Sequence, residues 1–172
     1  MSGCRLSLLP FLLHMNYFEL FNIPVSLSVD KTQLSKKFFE LQKKFHPDFY
    51  SNASPDEQEE ALETSAMANK ALKTFQNHDS TIKYVLQLKG LLEEEEKYQL
   101  APAFLMEVME LNEMKMDGAG DDQVQQRTGQ LQEEIYQAVR PIIENYVDGI
   151  TSETDLLKVK EYYYMKKYLD RL

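Results

Sequence analysis

The chain has 172 residues, 43% hydrophobic and 27% charged, enough to bury a core in one or two small domains while keeping a polar surface. A single cysteine excludes a disulfide framework and any centre built on a thiol pair, and only 6 Gly and 6 Pro argue against a turn-rich sandwich or barrel. The net charge of −9 disfavours nucleic acid as a partner, and no apolar run approaches the roughly 18 residues that span a bilayer.

Residues 1–14 are apolar, with one Arg, no acid and a proline in the middle. Two readings stand: a short secretory or mitochondrial address, against which there is no small-residue cleavage site and little Arg/Ser bias, and the favoured one, an extension ahead of a natural start at Met15, disordered or wrongly included. Tyr17–Phe21 is a short apolar element stopped by Asn22 and Pro24. Asp30, with Gln33 three residues on, opens a helix carrying Leu34, Phe38, Leu41 and Phe45 as one apolar stripe. Lys31, Lys36, Lys37, Lys43 and Lys44 fall in the same stretch with Glu40 as the only acid, a local basic face on an acidic protein. The helix stops at Pro47, because the residue before a proline is pushed out of the helical region. Ser54-Pro55-Asp56-Glu57 reads as a capping box opening a second helix, whose expected inner face is Ala61, Leu62, Ser65, Ala66, Asn69 and Leu72. The two helices form an antiparallel pair with a loop from His46 to about Ser54 at its tip.

The second half is also helical. Ile82 to Leu88 is amphipathic and ends at Gly90, and Glu93–Glu96 read as a solvated loop or helix start. Pro102 opens a helix through Lys115, and Asp117 to Asp122 form a flexible turn. Val124, Leu131, Ile135, Ala138 and Ile142 keep helical spacing, with a kink or break expected at Pro141. Ser152 with Asp155 caps a last, tyrosine-rich helix. At 100° per residue Phe104, Val108 and Leu111 share a core face, while Leu105, Met106 and Met109 lie on other sides beside Glu110 and Glu113. Either bundle neighbours cover that second apolar surface or it is an adaptable partner site.

His46-Pro47-Asp48 is the motif that carries chemistry. Pro47 stiffens the loop, His46 and Asp48 offer a donor and a carboxylate at a fixed exposed position, and Lys36, Lys37, Lys43 and Lys44 offer charge to an acidic partner. The bland alternative is a helix stop in which both side chains cap backbone groups. Enzymatic use would need a nucleophile, and Ser51 and Ser54 are only loop neighbours; a metal site fails with only His14, His46 and His78. The segment resembles a J domain, the module with which co-chaperones stimulate ATP hydrolysis by DnaK-family chaperones.

The resemblance extends further. Asn16–Phe21, Ser65–Ala71, Tyr84–Gly90 and Ala103-Phe104-Leu105-Met106-Glu107 look like the HscB family, J-domain co-chaperones of iron–sulfur cluster assembly. His78 and Thr81 depart from it, standing where relatives often have proline and arginine. The resemblance implies an all-α chain: a J domain over 15–79, an antiparallel helical hairpin with a short flanking helix, then a three-helix bundle over 80–172. It implies that His46, Pro47, Asp48, Lys36, Lys37, Lys43 and Lys44 meet an HscA-type ATPase. It assigns Leu105, Met106, Met109, Glu110, Glu113 and Tyr168 to binding the cluster scaffold IscU. No cofactor, resident metal, nucleic acid or membrane is expected, and the chain itself, lacking a glycine-rich phosphate loop, is not the enzyme. Without the zinc-binding cysteine pairs that precede the J domain in animal relatives, the expected setting is a bacterial-type cytoplasm rather than the mitochondrial matrix. The alternatives are a general J-domain co-chaperone for unfolded clients and a purely structural helical adaptor.

Overall fold

The computed structural model describes residues 15–118 and 120–171, and the expectation for residues 1–14 lies outside them. All regular structure among the described residues is helical, in two compact units: residues through Val25 with Val29–Thr81, and Ser26–Ser28 with Ile82 onward. No helix among the described residues is long and apolar enough to cross a membrane, and no group of three or more His, Cys, Asp or Glu is placed to hold a metal ion.

The first unit begins with α1 (Tyr17–Phe21). The Asn16 side chain accepts the Glu19 amide at 3.0 Å, and Glu19 returns a carboxylate to the Asn16 amide at 2.9 Å. This reciprocal box lets a five-residue helix form where propensity alone could not nucleate one. Asn22, in the left-handed region at φ 50°, ends it. α2 (Lys31–Phe45) is capped by the Asp30 carboxylate, which accepts the Thr32 and Gln33 amides. α3 (Pro55–Gln76) starts with the expected Ser54–Glu57 box. α1 is held by Phe75 of α3, whose buried ring lies 4.6 Å from Phe18 and edge-on to Tyr17 and Phe21.

The inner face of α3 matches the expected one at Ala61 and Ser65 and departs from it elsewhere. Ala61, Thr64, Ser65, Ala68, Ala71 and Phe75 are buried, while Leu62, Ala66 and Asn69 are exposed and Leu72 is half-buried. Both sets lie on adjoining faces of a helix full of small residues, so spacing alone separates them poorly. Phe75, gripped by three aromatic rings of α1, decides which face turns inward.

α4 (His78–Leu88) starts four residues before the expected amphipathic piece, with Asn77 accepting the Ser80 amide at 2.8 Å. The buried Thr81 hydroxyl donates toward the carbonyls of Thr74 (3.1 Å) and Asn77 (2.9 Å), so the departure at this position supplies its own bond across the α3–α4 corner. Gly90, at φ 68°, ends the helix, and Leu91 N–H donates to the Leu86 carbonyl.

In the second unit α5 (Pro102–Met116), α6 (Asp121–Glu144) and α7 (Glu153–Leu169) enclose Phe104, Val108, Leu111, Leu131 and Leu169, with Leu100, Ile135 and Met165 at the edge. On α6 the buried track runs through Leu131, Val139 and Ile143, leaving Ala138 exposed and Val124, Ile135 and Ile142 half-buried. Past Ile135 it is one residue, or about 100°, off the expected track, because burying Val139 and Ile143 removes more apolar area than burying Ala138 would. Pro141 does not break α6. It sits exposed one turn from the end, forfeits a single N–H, and its carbonyl accepts the Asn145 amide at 3.2 Å and side chain at 2.8 Å.

Of the four glutamates, Glu93–Glu95 are exposed as expected, but Glu96 is not a solvated residue. It accepts Lys160 Nζ at 2.6 Å and the Tyr164 hydroxyl at 3.3 Å, while Tyr98 stacks on Tyr164 at 4.4 Å, tying the α4–α5 connection to α7. The Lys160 ammonium holds the Glu96 carboxyl below its usual range, and burial pushes Tyr164 up to about 12.

Candidate functional site

His46 stands between α2 and a short 3₁₀ turn, Pro47–Tyr50. Its Nδ1 accepts the Asp48 amide at 3.3 Å, so the proton of the neutral ring belongs to Nε2. The Asp48 carboxylate lies 3.6 Å from Nδ1 and is 84% exposed, with the His46 side chain 46% exposed. Phe49 N–H donates to the His46 carbonyl at 3.0 Å, and Tyr50 Oη donates to the Lys44 carbonyl at 3.1 Å, which folds the turn back onto the end of α2. The tip therefore presents a histidine and a carboxylate on a braced backbone. The capping alternative is partly realised, since His46 does accept a backbone amide, yet both polar groups remain open to solvent.

At 100° per residue Lys36 and Lys43 lie on the side of α2 opposite Leu34, Phe38, Leu41 and Phe45, while Lys37 and Lys44 lie on the flank of that stripe. Lys36, Lys43 and Lys44 are exposed; Lys37 is half-buried and pairs with Glu40 at 3.3 Å. Two aromatics that spacing did not single out join this surface: Phe39, 70% exposed, and Phe49, 72% exposed, whose ring lies 5.7 Å from that of His46. The signal was present in Phe39 standing off the apolar stripe and in Phe49 directly following the tripeptide.

In the second unit α5 buries Phe104, Val108 and Leu111 and leaves its other apolar side uncovered. Leu105 is 37% exposed, Met106 65% and Met109 61%. Glu110 and Glu113 are exposed beside them. Tyr168 of α7, 40% exposed, meets Phe104 edge-on with centroids 6.3 Å apart, which sets its ring against the end of α5. Met116, at 86% the most exposed apolar side chain of α5, extends this side and was not expected. Open thioether and aliphatic side chains rimmed by carboxylates form a surface able to adapt to an apolar partner segment carrying positive charge.

The family model described as the HSCB C-terminal oligomerisation domain matches residues 100–172, the segment that builds α5–α7. A co-chaperone protein HscB homolog of Vibrio cholerae is 41% identical over 100 residues, 58% of each chain. Residues 100–172 thus carry the HscB C-terminal domain, and the chain is similar to HscB co-chaperones. An iron–sulfur cluster co-chaperone protein HscB homolog of Arabidopsis thaliana is 32% identical over 136 residues, 79% of this chain and 54% of that one. The matches thus span a little over half the length of these curated relatives. The crystal structure of human co-chaperone protein HscB superimposes with a TM-score of 0.73 at 26% identity, covering 92% of this chain and 78% of that one.

Proposed function

We propose that this chain is a co-chaperone of iron–sulfur cluster assembly. Residues 15–79 form a J domain that stimulates ATP hydrolysis by an HscA-type chaperone, and residues 80–172 hold an IscU-type scaffold for delivery to it. The ATPase chemistry belongs to the chaperone, and the chain's own part is recognition. The observation that carries the reading is the braced, solvent-open His46–Asp48 tip beside the exposed Lys36, Lys43 and Lys44 of α2. Lysines on the solvent side steer an acidic partner and set its register, while His46 Nε2–H and the Asp48 carboxylate supply a donor and an acceptor at fixed separation. The uncovered Leu105–Met109 surface supports the second half, as does the similarity to the Arabidopsis iron–sulfur cluster co-chaperone.

The test is the steady-state ATPase of a purified HscA-type chaperone with the wild-type chain and with His46→Gln. The variant is expected to lose stimulation by tenfold or more while binding the scaffold with unchanged affinity, since His46 lies in the other unit. Full stimulation by His46→Gln would refute the assignment of the tip.

A further inference from the structure

α5 and α6 do not close evenly on each other. On one edge of their seam Arg127 bonds Glu107 at 2.6 Å. On the other is an open slot of about 370 Å³, whose lining includes Leu111 and Asn112 of α5 and Val124, Gln125, Gly129 and Gln132 of α6, together with the charged Lys115 and Asp121. At 100° per residue Asn112 stands about 140° from Glu107 but only about 20° from Leu105 and about 60° from Met109. The slot thus opens on the side of α5 that carries the exposed Leu105–Met109 ridge. Gln132 donates to Asp170 at 3.1 Å, so the slot also reaches the end of α7 that bears Tyr168.

Gly129 is the unexplained residue. It stands inside a 24-residue helix, where glycine is less favourable than alanine. Its backbone is ordinarily helical, and a Cβ added there would meet nothing within 4 Å. Neither conformation nor internal packing requires glycine at this position.

We infer that the partner-binding surface continues from the Leu105–Met109 ridge into this slot. A scaffold segment crosses Gly129 at close range and seats an aliphatic side chain against Leu111 and Val124, with Asn112 and Gln125 meeting its backbone polar groups. Gly129 is then a specificity-determining residue, its missing side chain being the space that the partner uses. This rests on the scaffold reading proposed above and adds to it a second contact region on a different helix.

The experiment measures calorimetric affinity of the full chain for a purified IscU-type scaffold, alongside thermal unfolding, for wild type, Gly129→Ala, Gly129→Leu and, as a control, Gln130→Leu, about 100° round α6 from Gly129 and outside the slot lining. Both Gly129 variants are expected to raise the unfolding temperature by a few degrees. They weaken binding nonetheless, by about threefold for alanine and more than tenfold for leucine, with the control unchanged. Gly129→Leu binding within twofold of wild type overturns the slot assignment and leaves the ridge standing. No binding by the folded wild-type chain overturns the scaffold reading itself, and the slot with it. Because alanine can only favour the helix, lost affinity in Gly129→Ala cannot be ascribed to unfolding.

Discussion

Replacing Leu105, Met106 and Met109 together with alanine asks whether the uncovered side of α5 is a binding surface. The size of the effect can be worked from exposure. Fully burying a Leu or Met side chain contributes about 2 kcal/mol. Scaled by the exposed fractions of 37%, 65% and 61%, complete coverage would contribute about 0.7, 1.3 and 1.2 kcal/mol. The sum, about 3 kcal/mol, corresponds to an affinity change on the order of 100-fold. Stability should fall by much less, because alanine keeps helix propensity and the core side chains Phe104, Val108 and Leu111 are untouched. The assay is calorimetric titration of the purified scaffold into the wild-type chain and the triple variant, with circular dichroism to verify folding. Affinity within threefold of wild type in a folded variant would refute the surface assignment, since coverage of side chains this exposed cannot be energetically silent.

Two further outcomes test the fold that presents the surfaces. Phe75→Ala removes the ring that holds α1 through Tyr17, Phe18 and Phe21 and should cost the first unit about 3–5 kcal/mol in denaturant unfolding; a loss below about 1.5 kcal/mol would mean that α1 is held by something else. Glu96→Gln should destabilise the second unit by about 1 kcal/mol at pH 7, a modest figure because the Glu96 side chain is 25% exposed and Lys160 12%. Glu96 has its carboxyl pKa lowered in the fold, so its contribution is present above the unfolded carboxylate pKa and is lost as pH falls through the folded value. The gap between wild type and Glu96→Gln in a pH series of thermal unfolding should therefore close below about pH 4, and a gap constant down to pH 3 would contradict the Lys160 pairing.

Local chemistry carried most of the fold. Asp30, Ser54 and Ser152 are N-caps wherever the sequence offered a capping residue, because a cap satisfies amides of its own first turn and needs no distant partner. Pro47 ends α2 for an equally local steric reason. The core stripe Phe104, Val108 and Leu111 was legible because bulky residues stand there at unmixed helical spacing. Legibility was partial on α3, where Ala61 and Ser65 face inward as expected but small residues surround the helix and the long-range clasp of Phe75 by α1 chose the rest of the face. It failed on α6, where Ala138 and Val139 are neighbours and only packing against other helices ranks them.

By itself the sequence determined an all-helical chain, the position of most of its helix starts, the histidine–proline–aspartate tip beside a lysine-rich helix, and the family that these resemble. All of these rest on interactions within a few residues or on motifs read in order. Only the tertiary structure decided that Leu105, Met106 and Met109 stay uncovered, that Glu96 leaves its acidic run to hold Lys160, and that a slot opens at Gly129. Whether a side chain is covered, paired or left facing an opening depends on which residues from distant parts of the chain arrive beside it, and helical periodicity says only which side it is on.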